Sequence, residues 1–245
     1  MVRTVDYNLR KKAVLAAAIN KYIKEAVPVA SEDIARAFDL SSATIRNIFN
    51  DLEKDGLLTH PYTSGGRIPT DRGYRYYVDF VISQMQLLDE EKERIGRGYQ
   101  KQLKKLEDIL EQTTDLLSTI THYTSIVSSL NRQDRFFYKG VSFILEEPEF
   151  QDSGRIRLLI RMLEDKQRLL SIINRDFSGR VKIYIGEEMG YPEIKNCSLA
   201  VTSYSAKKKP SGRIAVLGPM RMEYGHIIPA LEYVSDVLSD ALDEI

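Results

Sequence analysis

The N-terminal third of the chain alternates apolar and polar positions in a helical rhythm. From Leu9 to Ile23, Val14, Leu15, Ala18, Ile19, Tyr22 and Ile23 recur at helical spacing, with Lys11, Lys12, Lys21 and Lys24 among the polar sites, and Pro28 closes the stretch. Ser31, Asp33 and Ile34 open a second, short helix whose Ala35 and Phe38 face inward, and Asp39-Leu40 makes the turn out of it. A third helix starts at an N-cap serine, Ser41 or Ser42, whose hydroxyl can accept a hydrogen bond from an otherwise unpaired first-turn amide. Its Ile45, Phe49 and Leu52 share one face, flanked by Ile48, and Gly56 is the C-cap candidate. Leu57-Leu58-Thr59-His60 reads as a short strand, Thr63-Ser64-Gly65-Gly66 as a hairpin tip and Ile68 as the return. Asp71 to Tyr77 follows as a basic, aromatic helix.

Three helices, a glycine-tipped hairpin and a further helix are the order of a winged helix-turn-helix. The outer face of the third helix carries Ala43, Arg46, Asn47 and Asn50, residue types that suit a DNA major groove. Arg pairs bidentately with guanine, Asn with adenine, and an alanine methyl can meet that of thymine. Ser42 and Thr44 in the first turn join these as candidate contacts. In the wing, Thr63, Ser64 and Gly66 can bring amides close to phosphate, and Arg67 offers a charge to the backbone or the minor groove. Arg72 and Arg75 are candidate phosphate contacts, whereas Tyr74 and Tyr77 are assigned to packing.

Beyond Val81 the pattern changes. Charge dominates from Asp89 to Lys105, and Gly96 and Gly98 weaken helix there. Leu103, Leu106, Leu110, Thr113, Leu117, Ile120, Thr124 and Val127 then step by three and four, a heptad stripe broadened by Ile109, Leu116, Tyr123 and Leu130. A helix so patterned needs a partner, either the same helix of a second chain or the domain behind it; its width favours both. Farther on, Val141 to Leu145 reads as a strand closed by Pro148, and Arg155 to Ile173 as an amphipathic helix. Val181–Ile185 is a strand, Cys197–Tyr204 and Arg213–Leu217 form a hairpin, and Met222–Leu242 is the last helix. The fold class is α+β.

Composition narrows the function. The 245 residues, 43% hydrophobic and 29% charged, can fill cores and exclude a disordered polymer. Net charge is zero, and residues 1 to 79 hold 12 Lys/Arg against 10 Asp/Glu, so DNA binding rests on where the arginines stand and not on a basic field. A single cysteine, Cys197, excludes an intrachain disulfide and a Cys-rich zinc site. His60, His122 and His226 lack metal-pair spacing; His60 is a candidate phosphate contact and His226 a structural residue. There is no Walker loop, no Gly-x-Ser-x-Gly and no dinucleotide turn, and adjacent Glu187 and Glu188 at a strand exit read as solvated. The Lys207-Lys208-Lys209 run reads as a solvated turn. No catalytic residue, metal or cofactor is expected, nor any membrane-spanning or signal segment, and the chain reads as cytoplasmic.

Two separated sets of residues resemble the HrcA family of bacterial heat-inducible transcription repressors. The first is Ser41-Ser42-Ala43-Thr44-Ile45-Arg46-Asn47, Asp51-Leu52-Glu53, Gly56-Leu57-Leu58, Thr63-Ser64, Gly66-Arg67, Pro69-Thr70, Gly73-Tyr74-Arg75 and Tyr77-Val78-Asp79. The second is Gly186-Glu187-Glu188, Cys197-Ser198-Leu199, Leu217-Gly218-Pro219, Arg221-Met222, Tyr224, Ile228-Pro229 and Glu232-Tyr233-Val234. The resemblance implies a winged-helix DNA-binding domain over 1–82, a helical linker with a candidate dimerisation helix over 83–130, and a GAF-like α+β domain over 131–245. It further implies a homodimer repressing chaperone genes from an inverted-repeat operator, with the chaperonin as a controlling partner. The chain departs from the family where Leu130 runs to Val141 in a few residues, leaving no room for an inserted dimerising domain and truncating the GAF-like sheet. Gly65 stands where the family usually has alanine, Tyr62 where it has histidine, and Ile48 where it tends to be acidic, a change expected either to weaken phosphate repulsion or to alter the base preference. Other function classes are a small-molecule sensor built on the GAF-like domain and a non-DNA assembly adaptor using the heptad helix.

Overall fold

The computed structural model describes residues 2–61, 66–81, 89–99, 106–130, 136–175, 178–207 and 209–244. They form two compact units, Met1–Ser83 and Gln84–Ile245.

In the first unit, α1 (Val2–Glu25) buries Val14, Leu15, Ala18, Ile19 and Ile23. It stops where Ala26 turns left-handed at φ 54°, two residues ahead of Pro28. The short α2 (Ser31–Phe38) begins with the Asp33 carboxylate accepting from the Ala30 amide, so Ser31 is the first helical residue and Ala30 the cap. Asp39, at φ 52°, turns the chain into α3 (Ser42–Lys54), whose Ile45, Ile48, Phe49 and Leu52 are all buried. β1 (Leu58–Thr59) and β2 (Ile68–Pro69) pair antiparallel, and an extra bridge joins Arg67 to Val29. Thr70 then caps α4 (Asp71–Val81): its hydroxyl oxygen accepts from the Gly73 amide at 3.0 Å and its hydroxyl donates to the Gly56 carbonyl at 2.7 Å.

The second unit is a three-layer structure. α5 (Asp89–Tyr99) forms in spite of its two glycines, and α6 (Leu106–Thr121) follows. The sheet consists of β3 (Thr124–Ser129), β4 (Phe136–Lys139), β5 (Val181–Ile185), β6 (Cys197–Ala206) and β7 (Lys209–Pro219), all antiparallel in the order β4-β3-β7-β6-β5. One face carries α7 (Val141–Glu146), α8 (Ser153–Glu164) and α9 (Lys166–Ile173), which share a core with Ile126, Cys197, Leu199, Val201, Ala215 and Leu217. The opposite face carries α6 and α10 (Tyr224–Asp243), joined to the sheet at Ser198, whose hydroxyl lies 2.7 Å from that of Tyr224.

Five expectations are corrected. The heptad stripe does not continue as helix through Val127: His122 is left-handed at φ 55°, and Thr124 and Val127 lie in β3. Because β3 lies inside the sheet and α6 packs on it, the described residues of the expected linker belong to the second unit, which begins at Gln84. Val141 to Leu145 is helix: β4 ends at Lys139, and Gly140 at φ 79° turns the chain so that Ile144 is buried from α7. A short apolar run carries no period by which to tell the two apart. The helix expected over Arg155 to Ile173 is broken at Asp165, which closes α8 and caps α9 through the Arg168 amide at 3.2 Å. The stretch between Leu130 and Val141 holds β4, so the sheet has an edge strand where none was expected.

Candidate nucleic-acid interface

The α3 helix is fixed at both ends by its own sequence. Ser41 Oγ accepts from the Thr44 amide at 3.1 Å and lies 2.8 Å from Thr44 Oγ1, so Thr44 spends its hydroxyl on the cap. At the other end Gly56, at φ 72°, donates to Glu53 O, and the Leu57 amide donates to Leu52 O, both at 2.9 Å. This paired pattern is the Schellman stop, and a left-handed residue there favours glycine. The back of the helix is held from α1: Tyr7 Oη donates to Asp51 Oδ2 and Lys11 Nζ to Asp55 Oδ2, each at 2.6 Å. The Tyr7 hydroxyl, with Lys54, holds the Asp51 carboxyl below its ordinary value.

With the inner face buried, Ala43, Arg46, Asn47 and Asn50 are exposed together and Ser42 is half-buried beside them. Ile48, in contrast, is only 1% exposed. It therefore cannot alter phosphate repulsion, and the expectation drawn from its departure is withdrawn: the residue belongs to the core. Tyr74 and Tyr77 are buried as assigned, and Tyr77 Oη donates to Asn20 Oδ1.

Beside the exposed face runs a groove of about 380 Å³, lined by the start of α2, by Arg46, Phe49 and Asn50 of α3, and by His60, Gly66 and Arg67 of the wing. Gly66 is required here for close approach, since a Cβ would fall 2.5 Å from the Val29 carbonyl oxygen. The neighbouring Arg67 exchanges two backbone hydrogen bonds of 2.9 Å with Val29, which fastens the wing to the α1–α2 connection. Its side chain, 12% exposed, is not offered outward: Nε pairs with Glu53 Oε2 at 3.2 Å and Nη2 donates to Asn50 Oδ1 at 3.0 Å. Glu53 also holds His60 through Nδ1. Arg67 and His60, expected to touch DNA directly, are thus tied to α3, and Glu53 is the residue that sequence reasoning missed. Its position three residues after Asn50 was the available signal.

Arg72 and Arg75 stand elsewhere. They line a second groove of about 460 Å³ with Lys54, Asp55, Leu57, Tyr76 and Asp79, at the C-terminal end of α3, and Arg75 pairs with Asp79 at 3.6 Å. The structure does not bring them to the Arg46 face. Thr63 and Ser64 lie outside the described residues.

Other candidate chemistry resolves into structure. Among the described residues no His, Cys, Asp and Glu group suits a metal ion, and no helix is long and apolar enough to cross a membrane. Cys197 is fully buried, which pushes its thiol up and away from reactivity. His226 Nε2 is 2.9 Å from Glu91 Oε1, linking α10 to α5, and Glu188 accepts from the Ile185 amide at 3.0 Å.

Two family models match the chain: "Winged helix-turn-helix transcription repressor, HrcA DNA-binding" over residues 8–79 and "HrcA protein C terminal domain" over residues 128–228. The chain is similar to the heat-inducible transcription repressor HrcA of Desulforamulus reducens, with 29% identity over 338 aligned positions covering 96% of this chain and 97% of the relative. Similarity to the HrcA of Moorella thermoacetica is likewise 29%, over 337 positions covering 96% and 98%. Both alignments are longer than the 245-residue chain, so these relatives carry sequence with no counterpart here. A solved structure described as a hypothetical protein at 2.2 Å resolution shares the fold with a TM-score of 0.80 and 18% identity, covering 96% of this chain and 98% of that one.

Proposed function

Since the chain belongs to the HrcA family of heat-inducible transcription repressors, we propose that it represses transcription by setting the exposed face of α3 into the major groove of an operator. The observation that carries this reading is the capped, rigidly backed α3 presenting Ala43, Arg46, Asn47 and Asn50 side by side. Arg46, Asn47 and Asn50 are its direct base readers beside the Ala43 methyl, and Ser42 supplies a backbone contact at the helix N-terminus, where the free amides favour an anion. The wing tip, with Thr63 and Ser64, is its backbone contact, while Arg72 and Arg75 have at most a separate, flanking phosphate role. No step of this function is enzymatic. Two copies on an inverted repeat would satisfy the two-fold symmetry of such a site. The second unit is read as the GAF-like control domain that the chaperonin addresses, with the protein acting in the bacterial cytoplasm.

The test is binding of the full chain to an inverted-repeat chaperone operator and to scrambled DNA over a salt series. Selective binding is expected, and Arg46→Ala should weaken operator binding by about 1–3 kcal/mol with little change on scrambled DNA. Equal losses on both DNAs would make Arg46 a phosphate contact. An assembly adaptor would show no salt-dependent DNA binding at all. Saturable thermal stabilisation by a metabolite would point to a small-molecule sensor.

A further inference from the structure

Glu53, Arg67, His60 and Asn50 form one connected set whose geometry bears on which base is read. Glu53 and Asn50 lie one turn apart on α3, and both are reached by Arg67. The strand register, Leu58 to Pro69 and Thr59 to Ile68, continued by one residue sets His60 opposite Arg67, so Glu53 grips both strands of the wing. A guanidinium has donors only, so the Asn50 atom facing Arg67 Nη2 at 3.0 Å has to be the carbonyl oxygen. Pairing with adenine requires that oxygen to accept from the base while the amide nitrogen donates. Arg67 takes one of that oxygen's two lone pairs and sets the direction of the amide, which leaves the NH₂ as the group with unspent donors for the groove.

We propose that Glu53 is a positioning residue for base recognition: by holding Arg67 against α3 it fixes Asn50 as a hydrogen-bond donor, and thereby directs Asn50 to guanine, whose N7 and O6 both accept, in preference to adenine. This replaces the adenine pairing expected for Asn50, and it rests on the reading that the outer face of α3 enters the major groove. It also explains why Arg67 is a poor phosphate contact here, since its charge is balanced by Glu53.

The experiment enriches a preferred site from a randomised duplex library on the full chain. It then compares all four base pairs at each position for the wild type, Glu53→Ala, Asn50→Ala and the double variant at several salt concentrations. Asn50→Ala should flatten the preference at one position in each half-site. Glu53→Ala should lower the guanine-over-adenine ratio at that same position by about fivefold or more, while the released Arg67 steepens the salt slope by up to about 0.9 per chain. The double variant should be no flatter than Asn50→Ala alone. A Glu53 that served only the folding of the wing would weaken all sequences alike and leave the base preference intact, which overturns the proposal. Should Glu53→Ala not fold, Arg67→Met removes the donor to Asn50, leaves the Glu53–His60 contact and is read by the same fall in the guanine-over-adenine ratio, with no steepening of the salt slope. If the wild type enriches no site, base reading by α3 fails and the positioning role with it. A site enriched with Glu53→Ala unchanged at the Asn50 position defeats the positioning role alone.

Discussion

Ala26 shows how a single residue sets the end of an element. Its amide donates to Tyr22 O at 2.8 Å and its φ of 54° places it in the region that disfavours a Cβ. Ala26→Gly relieves that strain but gives the unfolded chain more freedom, so a net gain of about 0.5 kcal/mol is expected, up to about 1. Urea unfolding would show it as a higher midpoint at unchanged slope, and a lowered midpoint would mean the alanine methyl packs. Residues whose role is local were legible in the sequence: Ser41 and Gly56 terminate α3 as their types require, and Ile45, Phe49 and Leu52 follow the helical period. Arg67 and His60 were not, because their partners lie across a hairpin and on another element, and a charged side chain in a sequence does not announce its counter-charge. Ile48 was misread for a related reason: a family's residue preference says nothing of which face a position occupies in this chain.

At the scale of elements, Arg221, in the turn between β7 and α10, adds a polar tie to the 3-10 turn after α7, whose Phe150 is buried in the core together with Ile144 of α7. Its Nε donates to Glu149 Oε1 at 2.7 Å and its Nη2 binds Glu147, with side-chain exposures of 10% for the arginine and 19% and 24% for Glu147 and Glu149. Burial pushes the Glu147 carboxyl above its ordinary value even with Arg221 pulling the other way. A raised acid means the native state binds the proton more readily than the unfolded chain, so this group favours folding at low pH and loses that contribution as pH rises through its folded value. Arg221→Met leaves two neighbouring carboxylates without a cation. A loss of about 3 kcal/mol is expected at pH 7 and a smaller one at mildly acid pH, where the raised Glu147 carboxyl takes up a proton. Denaturant unfolding at both values checks it, and a loss equal at both would place the effect in packing. The elements that the sequence disclosed were those with a clean period, the β6–β7 hairpin and α10. The ones that escaped, α7 and the end of α6, depend on a left-handed residue at 140 or 122 that changes the chain's course, and His122 gives no compositional hint of it.

At the scale of the molecule, the heptad stripe changes meaning. In α6, Ile109, Leu110, Thr113, Leu117 and Ile120 are buried against the sheet and α10 of the same chain, so the face that could have paired two chains is already occupied. The aligned relatives contain sequence absent here. If two copies act on an inverted repeat as proposed, they have to find each other without α6, and the operator becomes part of what holds them together. In that case one chain on a half-site binds weakly, and the second gains from effective concentration once both sites are joined. Deleting one half-site should then lower the affinity by about 100-fold and change the stoichiometry on DNA from two chains to one, while sedimentation without DNA shows mainly single chains at micromolar concentration. Leu117→Ala, which opens the packing between α6 and the sheet, should cost about 2–5 kcal/mol of stability and leave the two-to-one stoichiometry of the folded fraction intact. Dimers that persist without DNA and dissociate on Leu117→Ala would instead return α6 to the role of a pairing helix.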